Sequence, residues 1–265
     1  MVFTDQTGYS FSLQSIPQRI ISLVPSQTEL LYDLGLNEKV VGITKFCIHP
    51  DEWFRKKTRV GGTKNVNFDT IDQLHPDLIL ANKEENQKEQ IEELRKKYTV
   101  WTSDPRNLED ALDMILRIGE LTGEYSKARL LRDEIENGFN HWEALRNDHQ
   151  LKAVYLIWKN PIMVAGQNTF INDMMTRFGL ENAVISSERY PQVTVANLKK
   201  MNPELILLSS EPYPFREIDA EEFRQYFPGI PVLTVDGEMF SWYGSRLTKT
   251  TEYFQQLNKE LRIAL

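Results

Sequence analysis

The chain has 265 residues, 41% of them hydrophobic and 26% charged, which gives enough apolar mass for one large domain or two smaller ones and excludes a disordered or fibrous class. Its 38 acidic residues outnumber the 31 basic ones, for a formal net charge of −7, and that balance argues against nucleic acid, whose phosphates reward clustered Lys and Arg. The single cysteine, Cys47, rules out an internal disulfide and any zinc site built from several thiolates.

Met1-Val2-Phe3-Thr4-Asp5 lacks the basic and apolar regions of a secretory signal, and no run of about 18 apolar residues is present to span a bilayer. The product is therefore expected to be soluble and cytoplasmic if Met1 is the native start, and periplasmic or at the cell surface if a leader was removed or lies upstream of Met1. Ile20-Ile21-Ser22-Leu23-Val24 reads as a buried strand. Pro25-Ser26-Gln27-Thr28 then opens a helix with apolar spacing at Leu30, Leu31 and Leu34, and Gly35 stops it. In Ile71-Asp72-Gln73-Leu74-His75-Pro76-Asp77-Leu78-Ile79-Leu80 a helix ends at a proline and gives way to a strand apolar enough to be covered on both faces. Val100 to Asp104 is a further strand.

From Leu108 to about Arg146 the texture changes to few β-branched residues, no proline and apolar positions at helical spacing. Leu108, Leu112, Ile115, Leu116 and Ile118 define one helix up to a break expected over Gly119 to Gly123; Tyr125, Ala128, Leu131, Ile135, Phe139 and Trp142 define a second. A helix over 124–146 is about 35 Å long and contains little that bends, so it is expected to act as a rigid connection.

Beyond it the script of the first half repeats. Val154 to Trp158 is a strand, and the helix around Phe170 to Met175 ends at Gly179-Leu180 as the earlier one ends at Gly35-Leu36. Leu198-Lys199-Lys200-Met201-Asn202-Pro203-Glu204-Leu205-Ile206-Leu207 echoes residues 71–80, and Val232 to Asp236 echoes Val100 to Asp104. Strands alternating with helices in both halves imply two α/β lobes with mostly parallel sheets: an N-terminal lobe over 1–106, a helical linker over 107–148 and a C-terminal lobe over 149–265. The default ligand site is the mouth between them, at the carboxyl ends of the strands.

The loops after the predicted strands are rich in flat rings and cations. Phe46, Trp158, Tyr190, Phe240 and Trp242 offer stacking faces, and Lys64, Lys83, Arg189 and Arg246 offer partners for carboxylates or phosphates. Trp158 is equally well explained as lobe core. Ser26 opens a helix after a strand, which suits a nucleophile, but a helix cap explains it as well. No nucleophile elbow, phosphate-binding loop, dinucleotide fingerprint or His-Glu-x-x-His occurs, so no catalytic residue and no intrinsic cofactor are expected. Cys47 and His49 are too sparse a pair for a metal site, and His75, His141 and His149 fall at a helix end or near the connecting helix.

The segments 19–31, 40–44 and 75–80, together with Phe3 to Gly8 and Glu238 to Arg246, resemble the helical-backbone metal-chelate receptors. These are the class III substrate-binding proteins of ABC importers for siderophores, haem and vitamin B12, and the B12 receptors are the nearest likeness. The resemblance covers nearly the whole chain and implies two Rossmann-like lobes on a long rigid helix, a chelatase-like fold. It implies a monomer that binds a cobalt or iron chelate between the lobes, near Ser26, Phe46 and His49, and docks on an ABC permease. Alternatives of the same fold are a cytoplasmic chelate sensor or carrier and a chelatase-like enzyme. The resemblance places one docking acid at Asp69 in Asn67-Phe68-Asp69-Thr70-Ile71, whereas Ala196 stands where the second acid belongs, with Glu188 or Glu204 as nearby substitutes. It also implies a tryptophan where this chain has Gly62-Thr63-Lys64, and another at Tyr190.

Overall fold

Continuous apolar runs, unbroken by polar alternation, build two parallel sheets in the computed structural model, which describes residues 1–146 and 150–265. The expected boundary at 148/149 and His149 lie outside the described residues. The chain folds as two units. One takes Met1–Pro105, Glu109–Ile135 and Tyr243–Arg246, and the other takes Arg106–Leu108, Glu136–Trp242 and Leu247–Leu265.

The first unit opens with an antiparallel hairpin, β1 (Val2–Thr4) and β2 (Ser10–Ser12). There follow β3 (Ile20–Ser22), α1 (Pro25–Asp33), β4 (Val40–Ile43), α2 (Asp51–Lys56), β5 (Thr58–Arg59), α3 (Phe68–Leu74), β6 (Leu78–Asn82), α4 (Lys88–Arg95), β7 (Val100–Ser103), α5 (Leu108–Thr122) and the start of α6 (Tyr125–Leu145). The sheet order is β5-β4-β3-β6-β7, every pair parallel. Chain order thus runs outward from β3 on both sides, and the switch point falls between β3 and β6. Ile21, Leu23, Ile79, Ala81, Ile71, Ile91 and Val100 form the core on one face of this sheet. The hairpin is fastened to the sheet by Asp5: its buried carboxylate accepts from Arg95 Nη2 at 2.6 Å and from Thr102 N at 3.2 Å, while Gln6 N donates to Thr102 O.

Two details of the helical segment depart from the sequence reading. The break expected over Gly119 to Gly123 is confined to Gly123, at φ +79°, and α5 runs through Gly119 to Thr122. Gly119 serves packing: a Cβ there would sit 2.3 Å from the Ala128 Cβ of α6, so the two helices approach as closely as they do only because the methyl is missing. The segment divides between the units, with the boundary inside α6 between Ile135 and Glu136.

The second unit contains β8 (Lys152–Trp158), β9 (Met163–Val164), α7 (Phe170–Phe178), β10 (Glu181–Asn182), α8 (Val195–Lys200), β11 (Leu205–Ser209), α9 (Glu217–Tyr226), β12 (Val232–Val235), α10 (Glu238–Ser241) and α11 (Leu247–Ala264). Its parallel order is β10-β8-β11-β12, with β9 antiparallel beside β8, so its switch point lies between β8 and β11. Val154, Leu156, Ile206 and Leu208 pack on Leu198, Phe215, Phe223 and Phe227. A separate aromatic cluster joins Phe139 and Trp142 of α6 to Phe178, Phe240 and Phe254, with ring centroids 5.1 to 6.4 Å apart. Each such pair contributes about 0.5–1.5 kcal/mol beyond its buried area.

Candidate functional site

In an open α/β sheet the crevice beside the switch point, at the carboxyl ends of the strands, is the one place where two loops leave in opposite directions and expose backbone groups. Each unit has such a place. In the first it is bounded by the residues following β3 and β6, in the second by those following β8 and β11.

In the first unit the polar residues at these strand ends bond to one another. Gln27 Nε2 donates to Ser103 Oγ at 2.5 Å, Asn82 Nδ2 donates to the same hydroxyl at 3.0 Å, and Asn82 Oδ1 accepts from the Glu84 and Glu85 amides at 2.8 and 3.0 Å. Asn86 Nδ2 reaches Leu23 O at 3.3 Å and Thr63 O at 2.9 Å. This buried lattice, absent from the sequence reading, sets the positions of the loops above it. Ser26 lies in the first turn of α1, where Val24 occupies the cap position without a capping side chain; the Ser26 Oγ is buried and has no hydrogen-bond partner among the described residues.

The loop after β4 splits its residues between inside and outside. Phe46 is 51% exposed with Lys45 Nζ 5.1 Å from its ring centroid, and Ile48 beside it is exposed too. Cys47 turns inward, its thiol within 3.1 Å of Thr28 Oγ1 and 3.2 Å of Thr44 Oγ1, and burial pushes that thiol up, so it stays protonated. His49 is half-buried two residues on. Gly62, one of the three residues standing where the resemblance implies a tryptophan, has the Phe46 ring against it: a Cβ there would lie 3.1 Å from Phe46 Cε2. Lys64 donates to the Glu84 carbonyl, and Lys83 pairs with Asp104 at 2.6 Å. Asp69 is exposed in the first turn of α3.

Arg246 has its guanidinium engaged. Only 8% exposed, it clasps Glu29 of α1 through Nε at 2.7 Å and Nη2 at 2.8 Å. This bidentate pair anchors Tyr243–Arg246, and Gly244, at φ +141°, lets the backbone lie against α1, since a Cβ there would meet the Ser26 carbonyl at 3.1 Å.

In the second unit Trp158 ends β8, 38% exposed, with Tyr213 edge-on at 5.5 Å and its Nε1 donating to Asn160 O at 3.0 Å. Lys159 is bound by Asp219 and Glu222, each at 2.7 Å, and those carboxylates hold the ammonium well above its ordinary range. Arg189 and Tyr190 ride on a ribbon. Gly166 N donates to Arg189 O at 2.7 Å and Arg189 N to Gln167 O at 2.9 Å; both side chains are half-buried, and Arg189 sits at φ +64°.

Phe240 is a core residue at 0% exposure, with Tyr155 and Phe254 both 5.3 Å from it, so its ring has no face left for a ligand. Trp242, 6% exposed, donates its Nε1 to Glu211 at 2.8 Å.

Glu211 escaped the sequence reading although the repeat marks it. The offset that carries Pro76 to Pro203 carries Glu84 to Glu211, placing both acids just beyond the carboxyl end of the strand at the switch point. Among the described residues no group of three or more His, Cys, Asp or Glu side chains converges to hold a metal ion, and no helix is long and apolar enough to cross a membrane.

Two α/β units with a switch point each, Rossmann-like in strand order and linked in sequence through α6, define a class III periplasmic-binding-protein architecture. The chain belongs to the periplasmic binding protein family, whose model matches residues 20–232. An uncharacterized ABC transporter substrate-binding lipoprotein of Bacillus subtilis, YvrC, is 29% identical over 77% of this chain and 67% of its own length. A vitamin B12-binding protein of Vibrio vulnificus strain YJ016 is 32% identical over 76% of this chain and 75% of its own. Among solved structures, the periplasmic vitamin B12 binding protein BtuF of Vibrio cholerae superposes with a TM-score of 0.74 at 23% identity, covering 94% of this chain and 98% of that one. The periplasmic heme-binding protein BhuT, in complex with two hemes, gives 0.80 at 21% identity, covering 94% and 99%. These two likenesses are of fold.

Proposed function

We propose that this chain is the substrate-binding component of an ABC importer and that it captures a metal chelate, a cobalt corrinoid or an iron complex such as haem or a ferric siderophore. The reading is carried by the exposed flat rings at the strand ends, Phe46 in one unit and Trp158 in the other, set beside cations in a chain of this family. The metal arrives inside its chelate and the ring system is what the protein holds: aromatic faces stack on a macrocycle, Lys64 and Arg189 meet its carboxylates or phosphates, and Tyr190 and His49 supply hydrogen bonds. Binding of this kind needs no catalytic residue. The chain works as a monomer, and it does so outside the cytoplasmic membrane, the location to which the family name and the lipoprotein relative point. It meets its permease through Asp69, with Ala196 leaving the second contact uncharged.

The test is a titration with cyanocobalamin, haemin and ferric siderophores, following tryptophan fluorescence and thermal stability. A ligand at a hundred times its Kd stabilises the fold by about 2.7 kcal/mol. Phe46→Ala and Trp158→Ala should each weaken that ligand by roughly twofold to tenfold, the worth of one stacked ring. Absence of any response to all three chelate classes at saturating concentration sinks the proposal.

A further inference from the structure

Among the described residues Glu211 is the one carboxylate in the second unit drawn inward just past the end of β11, and its environment is built for it. A Cβ on Gly237 would fall 2.6 Å from Glu211 Cγ and 2.3 Å from Ser209 Oγ, so glycine is required opposite it. Behind it runs a line of hydroxyls: Tyr155 OH donates to Ser209 Oγ at 3.1 Å, and Ser209 Oγ donates to the Glu211 carbonyl at 2.5 Å. In front, a single oxygen, Oε1, accepts from Ser241 Oγ at 2.6 Å and from Trp242 Nε1 at 2.8 Å.

We propose that Glu211 is a positioning residue: its ionised carboxylate fixes the Trp242 indole and the end of α10, and ligand capture weakens when that carboxylate is neutralised. The effect on capture rests on the function proposed above; the positioning does not. Both donors fall on one oxygen, and an ionised oxygen holds them more tightly than a neutral carbonyl oxygen does, because charge-assisted hydrogen bonds are roughly twice as strong. The groups around it oppose that charge. Glu238 of α10 and Asp236 at the end of β12 are acids, Tyr155 of β8 is a phenol within reach of its field, and Tyr253 of α11 binds the Asp236 amide. Burial, followed by the two acids, pushes Glu211 up, and the Ser241 and Trp242 hydrogen bonds pull it part of the way back. A carboxylate with a raised value in the folded chain adds stability below its unfolded value and loses it as pH rises through the folded one. The locked state of Trp242 is therefore the one the fold is charged with holding.

The experiment follows tryptophan fluorescence and near-ultraviolet dichroism of the ligand-free chain from pH 4 to 8. The wild type should show a transition above the ordinary carboxylate range that is lost in Glu211→Gln and in Trp242→Phe. Ser241→Ala, which removes one of the two hydrogen bonds favouring ionisation, should move the midpoint upward. A transition unchanged in Glu211→Gln overturns the assignment; if that variant fails to fold, a midpoint unmoved in Ser241→Ala does so instead. Cyanocobalamin and haemin affinities on either side of the midpoint complete the test: affinity that rises with pH in the wild type and is flat in Glu211→Gln supports the coupling, and equal pH dependence in both refutes it. Failure to bind either ligand at any pH counts against the importer reading and leaves the fluorescence result to decide the positioning role.

Discussion

The two units use the same devices where the chain turns and different ones at the starts of their helices and on their outer surfaces. Asp77 and Glu204, each after a buried proline, make the same reciprocal pair: Asp77 N donates to Arg19 O at 2.9 Å while its carboxylate accepts from Arg19 N at 2.9 Å, and Glu204 N donates to Lys152 O at 2.7 Å while its carboxylate accepts from Lys152 N at 2.9 Å. His75 and Asn202, the residues before those prolines, share a left-handed backbone at φ +44° and +49°, and Gly35 and Gly179 end the first helix of each unit in the same conformation. The acid after Pro203 thus serves strand entry through one carboxylate oxygen, while Glu188 is exposed and accepts from Asn168. Helix starts differ: α7 is capped by Thr169, whereas α1 begins behind Val24 with no side-chain cap.

The sharpest way to break this comparison is at the ion pairs of the two first helices. Glu29 of α1 and Arg246 are buried together, whereas the α7 pair, Asp173 with Arg177 at 2.8 Å, is partly open to solvent and shared with Glu143. Arg246→Ala leaves a buried charge unmatched and should cost about 3–5 kcal/mol, against about 1 kcal/mol or less for Arg177→Ala. Denaturant titration of both variants decides it; equal losses would mean that Tyr243–Arg246 is not held by this pair.

The strand-entry pairs come next. Asp77 accepts from two backbone amides, Gln18 N and Arg19 N, and Glu204 from one, so Asp77→Ala should cost about 1–2 kcal/mol and Glu204→Ala about half of that. A reversed order in thermal unfolding would show that the repeat is one of sequence and not of energetics. Thr169→Ala should cost about 1 kcal/mol, through loss of the cap on Asn172 N.

These pairs also show how much was legible beforehand. The Pro-Asp-Leu-Ile-Leu and Pro-Glu-Leu-Ile-Leu echoes, the glycine stops and the buried strands follow from local chemistry, so periodicity and turn residues located β3, β6, β7, β8, β11 and β12 and the helices α1, α3, α5, α6, α7 and α8, but not α2, α4, α9 or the long α11. Partners distant in sequence were not legible. Nothing near Arg246 in sequence announces Glu29, and nothing near Phe240 announces Tyr155 and Phe254, whose rings pack on it. Gly119 looks like a stop in sequence, because nothing local shows that the Ala128 Cβ of the opposing helix lies 2.3 Å from where its own methyl would be. The same limit hid Glu211, whose neighbours in space, Ser241 and Trp242, come thirty residues later.

The smallest expected effect tests the difference on the outer surface. Asp69 and Ala196 occupy the same place, the second residue of α3 and of α8, after the capping residues Asn67 and Thr194. Both are exposed, so Ala196→Glu should leave stability within about 0.5 kcal/mol of the wild type. If a permease reads both positions, the added acid should tighten docking by about 0.2–1 kcal/mol and act chiefly on the association rate, with the gain shrinking as salt rises. Asp69→Ala should do the reverse to the same degree. Association with permease-containing vesicles at low and high salt separates the outcomes: if Asp69→Ala slows docking and Ala196→Glu changes nothing at either ionic strength, the partner reads only the first unit, and the alanine is matched to a surface with no cation to offer.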